Sequence, residues 1–193
     1  MIKSRLSIIT VLLISLALGA CVKNPNTGEP EPDFPVIAGI TQATSQSLAF
    51  ELLKYLHANK PDEVNQVFAE FVTGITVIQR YADGDATAGE TITSVVDIFQ
   101  TIQERFDIPD SPITAFVTGT VASIAGALNM VLTEIPENVA LILTAVGNGL
   151  NDGLNQYAAW SAASQTTAGL GSLGVSGLTG GIPVSTLAGT VMP

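Results

Sequence analysis

The sequence predicts an all-α protein: an antiparallel helical bundle of about five helices, followed by a tail rich in glycine, serine and threonine. Three observations support this prediction. Apolar side chains recur at spacings of three and four throughout residues 37–163, as they do on one face of a helix. Proline and acidic residues interrupt that pattern at intervals, where helices end and begin. The connections between the segments are short, which favours antiparallel neighbours.

Each predicted helix carries its own apolar stripe, and such stripes are typical of core residues rather than of cofactor sites. The helices are predicted over residues 37–58, 62–82, 88–107, 112–133 and 137–163. In chain order, the stripes consist of Ala49, Leu52, Leu53 and Leu56; Val64, Phe68, Phe71, Ile75 and Ile78; Ile92, Val95, Phe99, Ile102 and Phe106; Ile113, Val117, Val121, Ile124, Leu128 and Val131; and Val139, Leu143, Val146, Leu150, Leu154 and Tyr157.

The first 20 residues have the layout of a secretory signal peptide. Lys3 and Arg5 form a short positive region, and a mainly apolar run over residues 6–18 follows it. This run is shorter than the ~20 residues of a typical membrane-spanning helix. The motif Leu18-Gly19-Ala20-Cys21 then resembles the lipobox of bacterial lipoproteins. The alternative is an uncleaved N-terminal helix that contains a cysteine by chance.

The resemblance to lipoproteins implies a modification at Cys21. In that family the cysteine sulfur is diacylated, the signal peptide is cut off before it, and acyl chains such as palmitate hold the protein on the membrane. Two or three chains give stable anchoring, whereas one chain binds only marginally. An Asp after the cysteine commonly retains such proteins at the inner membrane, but here that residue is Val22. The resemblance therefore implies outer-membrane localisation if the host is Gram-negative.

Two segments outside the helices differ from each other in composition. Residues 21–36 contain Pro25, Pro30, Pro32 and Pro35, which disfavour helix and predict an extended tether. At ~3.1 Å per residue, residues 22–36 would hold the domain up to roughly 45 Å from the bilayer. Residues 164–193 carry no charge and many glycines, yet also apolar residues. We interpret them as a low-complexity, flexible or extended tail that folds back onto the bundle or onto a partner.

Composition disfavours several classes of function. The chain has 17 acidic and 7 basic residues, and this acidity argues against nucleic-acid binding, which needs clustered Lys and Arg. With a single cysteine and a single histidine, His57, a zinc site is not expected. His57 lies at the end of the first predicted helix, where the helix dipole favours it. We predict no catalytic residue, no cofactor and no metal site.

The segment Asp83-Gly84-Asp85 resembles the beginning of a calcium-binding loop. An EF-hand would require glycine at the position of Ala88 and glutamate at that of Ser94. Because both are absent, we interpret this segment as an acidic turn between helices.

Charge is distributed unevenly along the chain. After Asp110 the only charged residues are Glu134, Glu137 and Asp152, and residues 113–133 carry none. A helix without charge is buried or lies in lipid. The preferred interpretation is the central helix of a soluble bundle, with Gly126 in its core. A membrane-inserted hairpin and an oligomer interface remain alternatives, and small residues, including the Gly149–Gly153 pair, would permit close helix contact.

These observations predict a non-enzymatic envelope lipoprotein that binds or scaffolds another envelope component. Its expected partners are the membrane, through the acyl chains on Cys21, and an envelope protein or a second copy of the chain. The alternative function is a lipoprotein whose helices 112–133 and 137–163 insert into a bilayer as a pore or export component. An envelope hydrolase would require catalytic carboxylates, and no motif in the sequence identifies them.

Overall fold

A computed structural model of the protein describes residues 21–23, 30–105, 112–131 and 135–168. The predicted all-α bundle is confirmed, and every predicted helix is present. The helices are α1 (Phe34–Asn59), α2 (Val64–Ala82), α3 (Ala88–Arg105), α4 (Pro112–Met130) and α5 (Pro136–Ala168). The predicted signal peptide and the tail beyond Ala168 lie outside the described residues.

Helix α1 begins three residues earlier than predicted, within the proline-rich segment. The side chain of Asp33 caps the helix by accepting a hydrogen bond from the backbone N–H of Val36 at 3.1 Å. Pro35 lies in the first turn, where its missing N–H would have no partner within the helix in any case. The assumption that every proline in this segment opposes helix was wrong for Pro35.

The α2–α3 turn shows why the two helices separate at this point. Gly84 adopts a φ of 81°, a left-handed conformation that glycine tolerates and that commonly ends a helix. Thr87 and Glu90 then form a capping box: the Glu90 carboxylate accepts from the Thr87 N–H at 3.0 Å, and the Glu90 N–H donates to the Thr87 hydroxyl at 3.3 Å. The carboxylate of Glu90 also accepts from the Thr87 hydroxyl at 2.7 Å, and the two bonds it accepts, the one from the Thr87 backbone above all, lower its pKa.

The helices follow one another up and down, so the first and the fifth run in the same direction. Helix α1 contacts α2 and α4, and α3 contacts the same two helices. Helix α5 packs against α1, where Gln42 donates to Asp152 at 3.2 Å and Gln46 donates to Gln156 at 3.3 Å. Both pairs are 110 residues apart in sequence. This constant separation shows that α1 and α5 are parallel.

The core is made largely of the predicted stripes. Phe71 in α2 and Phe99 in α3 are its largest fully buried side chains, and the predicted stripes of α1, α4 and α5 are buried throughout. The prediction for α2 was wrong at its beginning, where Val67 is buried while Val64 and Phe68 are only partly covered. A short 3₁₀ turn over Pro61–Glu63 precedes α2. It places Val64 at the very end of the bundle, where fewer side chains can cover it.

The most densely buried stretch of helix lies in α5, not in α4, which the sequence predicted to be the central helix. Within residues 142–150 only Thr144 and Asn148 are exposed. In α4, by contrast, 39% of the positions in Ile113–Met130 are buried, and Gly126 lies on the exposed side. Absence of charge therefore did not indicate burial on all sides, because α4 contributes one face to the core and leaves the other open.

The described residues that precede α1 form a pair of strands. Two short strands, β1 (Cys21–Lys23) and β2 (Pro30–Pro32), pair in antiparallel fashion. Proline cannot donate a backbone hydrogen bond, so only Glu31 can donate from β2. Such prolines are tolerated in a pair of strands that are both edges. The predicted extended tether is thus doubled back, which shortens its reach.

Candidate lipid-anchor site and surrounding surfaces

The strand register places Cys21 close to the beginning of the helical domain. Cys21 pairs with Pro32, and β2 leads through Asp33 directly into α1. Paired Cα atoms in antiparallel strands are ~5 Å apart, and two residues of extended chain span at most ~7 Å. Cys21 therefore lies within about 12 Å of Phe34. A fully extended tether would have allowed a much greater distance.

His57, the only imidazole in the chain, contacts the last buried residue of the α5 stripe. Its Nδ1 lies 2.9 Å from the hydroxyl oxygen of Tyr157, and the two rings meet edge to face with centroids 6.1 Å apart. Burial raises the pKa of the Tyr157 phenol above its ordinary value of 10.0. No local pattern in the sequence indicated this pair, because 100 residues separate its members. The contact joins the C-terminal end of α1 to α5.

The acidic segment after α2 forms a turn, as predicted. Asp85 donates its N–H to the Arg80 carbonyl at 2.8 Å, and Gly84 donates to the Tyr81 carbonyl at 3.1 Å. An open cleft of about 260 Å³ lies beside this turn, lined in part by Asp85 and by Glu90, whose carboxylate caps α3. Among the residues that the structure describes, no three His, Cys, Asp or Glu side chains group together as metal ligands would.

An ion pair between α2 and α3 was not predicted. Arg105 lies 2.8 Å from the Glu70 carboxylate, and both side chains are about three-quarters covered. Their separation in sequence gave no reason to pair them, since neither belongs to a recognisable motif. The pair fixes the end of α3 against α2.

Two glycines of α5 lie directly against the backbone of α1. A Cβ at Gly149 would overlap the Gln42 carbonyl oxygen and would lie 2.8 Å from the Ser45 Cβ. A Cβ at Gly153 would lie 2.5 Å from the Gln46 carbonyl oxygen and 2.7 Å from the Ala49 Cβ. No side chain fits at either position unless the helices move apart. The predicted use of this pair for close helix contact is confirmed.

The outward face of α4 is uncharged and consists mainly of small residues. It includes Ala115, Gly119, Ala122, Ser123 and Gly126, and nothing lies within 4 Å of a Cβ placed on either glycine. Of the helices in the described part of the chain, α4 alone is long and apolar enough to cross a membrane, with a mean hydropathy of 1.4 over Ile113–Met130. Core helices of soluble bundles also satisfy this criterion, so it does not establish a membrane span.

Comparisons with known proteins found no relative of this chain. Neither the protein-family models nor the curated proteins nor the solved structures contain a significant match to the chain.

Proposed function

We propose that this protein is a lipoprotein of the bacterial cell envelope, held on the membrane by acyl chains on Cys21. The observation that carries the proposal is the order of features in the leader: positive residues, an apolar run, then Leu18-Gly19-Ala20-Cys21. Cys21 is the only cysteine in the chain, so no other thiol competes for this modification. Since Val22 follows it, we propose the outer membrane as the destination in a Gram-negative host.

We further propose that the helical domain is non-enzymatic and binds or scaffolds another envelope component. Several of its carboxylates are engaged in hydrogen bonds or ion pairs within the domain. Glu90 caps α3, Glu70 pairs with Arg105, and Asp152 accepts a hydrogen bond from Gln42. Such contacts stabilise helix ends and helix pairs, which supports a structural use of these carboxylates. An envelope protein and a second copy of the chain are both candidate partners.

A second candidate function is insertion of α4 and α5 into a bilayer as a pore or export component. The uncharged outward face of α4 favours it. Against it, α5 carries Asp152 and packs closely on α1 through Gly149 and Gly153. Insertion would have to separate that contact and move the carboxylate of Asp152 into lipid, which is costly. We therefore prefer the scaffold.

Substitution of the lipidation site tests the anchor. Cys21→Ser should abolish incorporation of an alkyne-labelled fatty acid and leave residues 1–20 attached, as intact mass would show. Val22→Asp is the matched variant: it should keep the lipid but move the protein to the inner-membrane fraction in a Gram-negative host. A Cys21→Ser protein that is cut and localised like the wild type would disprove the lipoprotein proposal.

A further inference from the structure

The exposed large apolar side chains of the described residues are all found towards one end of the bundle. They are Val36, Met130, Ile135 and Leu141, and Ile135 is the most exposed at 59%. Val36 is in the first turn of α1, Met130 ends α4, and Ile135 immediately precedes α5. Exposed apolar residues scattered over a surface are ordinary, but their concentration near one end requires an explanation.

The parallel contact between α1 and α5 locates this end. Gly149 lies beside Gln42. Leu141 precedes Gly149 by eight residues and Phe34 precedes Gln42 by the same number, so Leu141 is about level with the beginning of α1. Ile135 lies six residues further, roughly 9 Å beyond that level. Ile135, which belongs with Met130 to the described part of the α4–α5 corner, therefore projects past the beginning of α1.

The same end of the bundle receives the chain from Cys21. The pairing of Cys21 with Pro32 keeps the cysteine within about 12 Å of Phe34. An acyl chain on Cys21 would enter the membrane from this position. The bilayer surface would then lie beside the α4–α5 corner, not a full tether length away from it.

We infer that Met130 and Ile135, at the α4–α5 corner, enter the membrane surface together with the acyl chains. This end of the bundle then contacts the bilayer. This inference rests on the proposed lipidation of Cys21. The charges near this end are mainly acidic and include Asp33, Asp83 and Glu137. The favoured surface is therefore zwitterionic, because anionic lipid would repel these carboxylates.

Lipidation would block the only native thiol, so a thiol-reactive fluorophore would label only an introduced cysteine. Its emission then reports whether that position lies in water or in lipid. The full-length protein carrying Ile135→Cys is lipidated in cells, purified, labelled with an environment-sensitive fluorophore and reconstituted into phosphatidylcholine vesicles. Ala58→Cys is the matched control, since it is exposed near the opposite end of α1. We expect a blue-shifted emission that bromine-substituted lipid quenches at position 135 and neither effect at position 58. Replacing part of the lipid with phosphatidylglycerol should reduce the shift.

The remaining outcomes separate this inference from the proposed function. If the wild-type protein takes up the thiol-reactive label, Cys21 is not acylated, and the lipoprotein proposal fails together with the inference. If the wild type stays unlabelled while both introduced sites report water, the protein is lipidated but its bundle stands clear of the membrane. Blue shifts at both sites would mean that the bundle lies flat. Either of these last two results would overturn the inference alone.

Discussion

Two pairs of helical glycines occupy opposite environments in this protein. Gly149 and Gly153 in α5 lie so close to the α1 backbone that a methyl group cannot be accommodated. Gly119 and Gly126 in α4 have open space where a methyl group would be. In sequence the two pairs look alike, as small residues repeated along an apolar helix. The comparison teaches that a small-residue pattern identifies surfaces that could approach closely without showing which of them do.

The largest expected difference concerns charge on the two faces of α4. Ile124→Arg would place a cation in the core, where Ile124 is completely buried, and should cost several kcal/mol of stability. Gly126→Arg projects into open space and should stabilise by up to ~1 kcal/mol, because arginine is a better helix former than glycine. Denaturant unfolding of residues 22–193, produced without the leader, measures both effects.

The same two arginine variants distinguish the scaffold from the pore. As a bundle, the protein without its leader should be soluble, and only Ile124→Arg should unfold it. In a bilayer-spanning α4, either arginine would sit near the middle of the helix and cost about 2.5–3.5 kcal/mol of insertion free energy. Carbonate-resistant membrane association of the leaderless protein, lost equally in both variants, would favour the pore.

Replacing the glycines with alanine should change stability by a smaller amount, and with opposite sign for the two pairs. Alanine at Gly149 and Gly153 should force the helices apart and destabilise by about 1–3 kcal/mol per site, which exceeds the gain in helix propensity. Alanine at Gly119 and Gly126 should stabilise by up to ~1 kcal/mol per site. Thermal unfolding of the two double variants gives the comparison directly. Equal shifts in the same direction would contradict the described α1–α5 contact.

The smallest expected effect is a pH dependence of stability at Tyr157, where α5 contacts the C-terminal end of α1. Burial raises the pKa of Tyr157 in the folded protein above the ordinary value of 10.0. The neutral phenol is therefore favoured by folding, and its contribution to stability is complete below about pH 10 and lost as the pH rises towards the folded pKa. Absorbance titration should show a late tyrosinate component that Tyr157→Phe removes. A late component that persists in this variant would contradict the assignment to Tyr157.

Much of the fold could be predicted from local patterns. The spacing of apolar residues gave the five helices, and it identified Phe71 and Phe99 as core residues because a helix buries the face on which such residues recur. Proline and glycine marked the ends. The resemblance of residues 18–21 to a lipobox pointed to Cys21 without any structural information, and lipidation of this cysteine remains a prediction.

The rest depended on contacts that no local pattern contains. Periodicity shows which face of a helix is apolar but not which helix covers it, so the parallel packing of α5 on α1 was not foreseen. The small residues of α4 are compatible with water and with a core alike, and this is why Gly126 was wrongly assigned to the core. The pairing of Cys21 with Pro32 was missed because proline argues against strands in general, although two edge strands tolerate it.

The 110-residue separation between Gln42 and Asp152 also sets an order of events during synthesis. At ~5–20 residues per second, the ribosome releases α1 roughly 5–20 s before the part of α5 that covers it. During this interval α1 exposes Ser45 and Ala49, the residues that later contact Gly149 and Gly153. Small side chains offer little apolar area for contact with other nascent chains. The small residues that allow close packing in the folded domain therefore also limit aggregation before α5 has been synthesised.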